Sequence, residues 1–149
     1  MDGDGQHQGE YIQELQKIVE EDICDVAIGS RFLLRESYPL GILKALGVRA
    51  FRMLIRIFTG ERITDPTSGF QCLSRKAFGY LTGDDFPWDY PDANVIIMLH
   101  RAGFRIGEVP VFMRPNPEGR EMHRGALTIS YYLFTVLLSI LVTVIRKSK

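Results

Sequence analysis

Asp25-Val26-Ala27-Ile28 reads as a short buried strand, and Gly29-Ser30-Arg31 ends it. A strand-to-loop step with a small residue, a hydroxyl and an arginine makes a seat for a phosphate, because backbone N–H groups and a forked guanidinium converge on it. The tripeptide alone is common, so its neighbours decide. Upstream, Tyr11, Ile12, Leu15, Ile18 and Val19 recur at helical spacing and predict a helix over residues 9–22. Downstream, Pro39 suits the first turn of a second helix, and Leu40, Leu43, Leu46, Phe51, Leu54, Ile55 and Phe58 carry it to Thr59-Gly60. The alternation of helix and strand predicts an α/β layer fold.

The chain then turns through Thr64-Asp65-Pro66-Thr67-Ser68-Gly69-Phe70, which is dense in residues that bond their own backbone. Phe70-Gln71-Cys72-Leu73 reads as a strand, and Ser74 is placed to cap a short helix over 75–82. An acidic, aromatic loop over 82–92 precedes a helix from Ala93 to Ala102 that Gly103 stops. Arg105 to Met113 alternates as a strand, with Pro110 marking an edge or a bulge. His100 falls in an apolar helix, where a packed or surface histidine is the expectation. Residues 114–125 are irregular and polar. Ala126 to Ile145 then runs without a charge and is closed by Arg146-Lys147-Ser148-Lys149. As a helix it would be about 30 Å long, enough to cross a bilayer core. Thr128, Tyr132, Thr135, Ser139 and Thr143 share one stripe of it, which fits a helix partner in the membrane or an interfacial position. Two units are therefore expected: a domain over 1–125 and an apolar membrane helix with a basic tail over 126–149.

The 149 residues carry 18 acids and 18 Lys or Arg, but unevenly. Residues 1–36 hold nine acids against three bases, whereas 37–60 hold Lys44, Arg49, Arg52 and Arg56 and no acid. That second segment suits an anionic partner such as a lipid phosphate or an anionic lipid surface. Cys24 and Cys72 lack metal spacing and read as two free thiols. No Walker loop, dinucleotide fingerprint or nucleophile-histidine-acid arrangement is present, and nucleic acid is excluded as a partner because a basic-aromatic platform is missing. The acidic start lacks the apolar core of a signal peptide.

That start, Met1-Asp2-Gly3-Asp4-Gly5-Gln6-His7, is a compact oxygen set that suits a hard divalent cation such as Mg²⁺ or Mn²⁺. A calcium loop is excluded, because the positions that need glycine and glutamate hold His7 and Gln13. A disordered acidic terminus is the other reading of this stretch.

Asp-Gly-Asp-Gly-Gln-His, Val-Ala-Ile-Gly-Ser-Arg, Ile-Thr-Asp-Pro-Thr-Ser-Gly-Phe, Asp-Tyr-Pro-Asp and Gly-Phe-Arg-Ile-Gly-Glu-Val-Pro-Val follow one another in that order. The series resembles family-2 glycosyltransferases of the GT-A fold, and within them the branch of dolichyl-phosphate mannosyltransferases and polyprenyl-phosphate sugar transferases. The resemblance implies that the chain is the C-terminal half of such a fold, truncated at its N-terminus. It implies that Asp2, Asp4 and Gln6 hold Mg²⁺ or Mn²⁺ on the diphosphate of a nucleotide-sugar donor. Arg31 would grip the acceptor phosphate, assisted by Arg49. Asp65, Ser68 and Gly69 would line the sugar and acceptor site, and Asp92 stands where relatives acting on hydroxyl acceptors carry a catalytic base. Asp65 and Asp92 are thus the catalytic candidates. Asn116 and Glu121 stand where many relatives have Arg and Ser, with Arg114 or Arg120 as substitutes.

The expected activity is transfer of a sugar to a polyprenyl phosphate, dolichyl or undecaprenyl, in lipid-linked or cell-envelope glycan synthesis. The protein would be membrane-associated, with its catalytic part on the cytoplasmic face, and a membrane partner protein is compatible with that location. Two other readings stand beside it: a non-catalytic membrane-associated fragment or interaction module, possessing no activity as truncated, and a soluble hydrolase pairing Asp65 with Asp92.

Overall fold

The computed structural model describes residues 9–34, 41–83 and 93–113, together with Thr135 and Leu138. At its centre is β1 (Val26–Ser30), all five residues of which are buried. It pairs antiparallel with β2 (Gln71–Leu73) and parallel with β3 (Ile106–Pro110), giving the order β2-β1-β3. The registers Ala27↔Cys72 and Ile28↔Glu108 fix which side chains share a face. Because side chains alternate along a strand, Val26 and Ile28 point to one side and Ala27 to the other.

Each side is covered by helices. On the Ala27 side lies α1 (Glu10–Glu20), which buries Leu15 fully and packs Tyr11, Ile12, Ile18 and Val19 around Ala27, Phe70, Val109 and Val111. On the Val26 side, Phe51 and Ile55 of α2 (Ile42–Thr59) and Val95, Ile96, Ile97 and Leu99 of α4 (Ala93–Arg101) join Val26 and Ile28 in a second core. The short α3 (Arg75–Leu81) contributes Ala77 to that core. The α/β layering matches the expectation, and so do the two free cysteines. Burial raises both thiols above their ordinary pKa, which keeps them protonated and inert.

Local chemistry sets the ends of the elements. The Ser74 side chain caps α3 by accepting from Ala77 N–H at 3.2 Å. Gly60 and Gly103 take left-handed φ values of 78° and 87° after α2 and α4, a conformation that costs glycine nothing. Asp22 is also left-handed after α1 and is tied, with Asp25, to Arg105 at the start of β3. The strand expected over 105–113 is shorter, ending at Pro110, although Val111 N–H still donates to Ser30 C=O at 3.0 Å. Similarly, α2 begins at Ile42 after Gly41. Pro39 lies outside the described residues.

Within the apolar pattern of α2, Leu46 and Phe58 are exposed, because Val48, Phe51 and Ile55 set the buried stripe and the helix phase turns the others outward. The apolar stretch 126–145 lies outside the described residues apart from Thr135 and Leu138, and so does the boundary between the two expected units. Among the described residues no helix is long and apolar enough to cross a membrane.

Gly29 shows why the strand ends as it does. A Cβ there would sit 2.8 Å from the Phe70 ring and 3.0 Å from a Val111 methyl. Gly29→Ala is therefore expected to destabilise by about 1–3 kcal/mol, since two packed side chains must shift to admit one methyl. Urea denaturation measures this directly, and an unchanged midpoint would show that the contact yields freely.

Candidate functional site

The site is assembled where β1 runs out. Arg31 follows directly, and its side chain meets the loop 64–68 in a forked ion pair: Nε donates to Asp65 Oδ2 at 2.6 Å and Nη2 to Asp65 Oδ1 at 2.7 Å. The Arg31 backbone N–H also donates to Asp65 Oδ2 at 3.1 Å, and Nη2 donates to Thr67 Oγ1 at 2.9 Å. The Asp65 side chain is 0% exposed and that of Arg31 14%. Two oxygens facing two nitrogens of one fork give the strongest pairing available to these side chains.

Glu108 holds the same loop from below. Its carboxylate accepts from Thr64 N–H at 2.8 Å, Asp65 N–H at 2.9 Å and the Thr64 hydroxyl at 3.0 Å. Burial pushes the Glu108 carboxyl above its ordinary pKa, and the N–H groups of Thr64 and Asp65 oppose that rise. The Thr64 hydroxyl lies 2.6 Å from Ser30 Oγ, so a carboxylate, two hydroxyls and the Phe32 N–H form one chain of hydrogen bonds from β3 to the residues after β1. Ser68 closes the loop's other end by donating to Gly29 C=O at 2.7 Å.

A second guanidinium arrives from α2. Arg52 Nε donates to Thr64 C=O at 2.6 Å, and its guanidinium carbon lies 4.6 Å from the centroid of the Phe32 ring. Arg31 approaches the same ring at 5.5 Å. Two cations therefore flank one aromatic ring at the end of the central strand, a cation–π arrangement that orients both.

Of the residues singled out in the sequence, the structure brings Arg31, Asp65 and Ser68 together, with Gly69 exposed at the loop's edge. Arg49 is exposed on α2, away from the buried stripe. Asp2, Asp4, Gln6 and Asp92 lie outside the described residues, as do Arg114, Asn116, Arg120 and Glu121. Among the described residues no three His, Cys, Asp or Glu side chains gather as a metal site. His100 is half-buried with Nε2 3.9 Å from a Glu61 oxygen, the packed or surface role expected of it.

Glu108, Thr64 and Arg52 did not stand out in the sequence. Glu108 shares with Ile106 the face of β3 that turns toward the core, and an acid on an inward face is itself a signal. For Arg52 the signal is its place beside Phe51 on the inward arc of α2, between Val48 and Ile55.

No family model matches the chain. Over 107 residues it is 32% identical to Glycosyltransferase AglD of Haloferax volcanii, a match covering 70% of this chain and 17% of that protein. An uncharacterized protein of Methanocaldococcus jannaschii is 29% identical over 112 residues, covering 74% of this chain and 46% of that one. The chain thus spans less than half the length of either relative. What the matched stretch shares with the first of them supports a glycosyltransferase family for this α/β unit.

Proposed function

We propose that this chain is the metal-and-acceptor part of a GT-A glycosyltransferase of the dolichyl-phosphate mannosyltransferase-like branch, which moves a sugar from a nucleotide-sugar to a polyprenyl phosphate at a membrane face. The observation that carries it is the Arg31–Asp65 pair at the end of β1: the guanidinium fork is locked by a buried carboxylate, which fixes the loop 64–68 against the end of the central strand. Similarity to a glycosyltransferase over 70% of the chain supports the same reading.

The outer face of α2 fits the membrane. Ile42, Leu46, Met53 and Ile57 are all exposed, and Arg49 and Arg56 lie among them. Apolar side chains with interleaved bases bind an anionic lipid surface by burial and by charge together. An acceptor phosphate held at that surface is already largely ionised at neutral pH. The protein then needs to orient it rather than deprotonate it.

Asp2, Asp4 and Gln6 are the residues that would hold Mg²⁺ or Mn²⁺, and two carboxylates with an amide oxygen are the hard donors such an ion prefers. Bound there, the ion would supply charge neutralisation for the departing nucleoside diphosphate.

The test is sugar transfer by the intact protein in vesicles containing a polyprenyl phosphate. Asp4→Ala is expected to reduce product to the level seen with excess chelator. Transfer that survives both treatments would sink the metal assignment. Absence of nucleotide-sugar binding by calorimetry would favour a non-catalytic module instead.

A further inference from the structure

We propose that Arg52, rather than Arg49, is the cation of α2 that contacts the phosphate monoester, with Arg31 acting chiefly to hold the loop that frames it; this rests on the acceptor reading above. Arg31 has committed Nε and Nη2 to Asp65 and Nη2 again to Thr67. A guanidinium has five donors, and this one has given its forked edge to a carboxylate. Arg52 has given only Nε, to Thr64 C=O. Among the described residues its terminal amino groups meet no hydrogen-bond or ionic partner. Those two groups are the pair that can meet two phosphate oxygens at once.

Pre-organisation decides between the two arginines. Arg52 is half-buried, anchored through Nε, and stacked 4.6 Å from the Phe32 centroid, so its rotamer entropy is already spent before a ligand arrives. Arg49 is exposed and lies on the arc shared by Leu46 and Met53. A free, hydrated side chain in high dielectric gains little from one anion and loses its freedom on binding. The helix therefore divides its bases: Arg52 faces the ring and the loop, while Arg49 accompanies the exposed apolar stripe.

The shared ligand chemistry is a phosphate monoester dianion, from a lipid or free in solution. Equilibrium binding to the full chain is measured with farnesyl phosphate in detergent and, separately, with inorganic phosphate; sedimentation with vesicles of phosphatidylcholine and phosphatidylglycerol reads the membrane face. Arg52→Gln is expected to weaken farnesyl phosphate by about tenfold or more, with Arg52→Lys intermediate because an ammonium cannot fork. Arg75→Gln, at the exposed start of α3, removes the same charge and is expected to change the affinity by less than about twofold. Arg49→Gln is expected to reduce vesicle sedimentation more than Arg52→Gln does. Phosphate binding weakened as much by Arg49→Gln as by Arg52→Gln overturns the proposal, and so does unchanged binding in Arg52→Gln with an unchanged melting profile. Inorganic phosphate bound as tightly as farnesyl phosphate, and equally dependent on Arg52, supports the residue while refuting a lipid source. A wild-type chain that binds neither probe refutes both the acceptor reading and the role of Arg52.

Discussion

Arg31→Met is expected to cost about 3–5 kcal/mol of folding stability, the scale for breaking a buried ion pair by removing one partner. Asp65 is fully buried, so the substitution leaves its carboxylate with the backbone N–H of residue 31 and the weaker 3.4 Å contact from Thr67. Methionine approximates the length of the arginine stem, so the lost charge and hydrogen bonds dominate over lost packing. Adding Asp65→Asn to Arg31→Met is expected to recover part of the loss, because the uncompensated charge disappears with it. A double-mutant cycle in urea measures the coupling directly. Salt separates this pair from an exposed one: a buried bridge should keep its coupling as ionic strength rises, whereas a screened surface pair loses it. Strictly additive single substitutions, each costing under about 1 kcal/mol, would place the pair with ordinary surface bridges and remove the basis for a loop locked by Arg31.

How much of this arrangement was legible depended on its range in sequence. The Ser74 cap, the glycine stops at Gly60 and Gly103 and the burial of β1 are local, and residue chemistry within a few positions dictates each. Arg31 and Asp65 each stand in a motif of their own, but 34 positions separate them, and nothing in spacing says that one neutralises the other. Arg49 and Arg52 both belong to the basic run of α2, and spacing alone does not say which of them meets the loop. Only packing against α4 fixes which arc faces inward. Glu108 was hidden for a related reason. Its partners are main-chain N–H groups of residues 64 and 65, and a backbone donor has no sequence signature. Asp2, Asp4, Gln6 and Asp92 lie outside the described residues.

The second large effect is expected at Glu108. Glu108→Ala strands the N–H groups of Thr64 and Asp65 and the Thr64 hydroxyl, and each dry donor costs about 1–3 kcal/mol, without full additivity. Glu108→Gln is the sharper probe. Glutamine keeps the shape but offers acceptors on one atom only, so its amide nitrogen must face one of the donors. The two variants also separate by pH. Burial, the largest influence on Glu108, raises its pKa in the folded protein above the ordinary 4.5. A raised folded pKa means that the native state holds the proton more tightly, so stability from this group is full below the unfolded value and is lost as pH rises through the folded one. Glutamine does not titrate there. The stability gap between wild type and Glu108→Gln should therefore narrow as pH rises from about 4.5 and level off above the folded pKa, while remaining positive because a donor is still stranded. Asp25 shifts the opposite way: the Arg105 backbone N–H lowers its pKa, so its stabilisation is present above the ordinary 3.8 and is lost as pH falls through the folded value. That contribution is common to both proteins and cancels in the difference. A gap that widened with pH would mean that the three hydrogen bonds outweigh desolvation, and Glu108 would then be a carboxylate stabilised by the loop it holds rather than one that is charged at a cost to the fold.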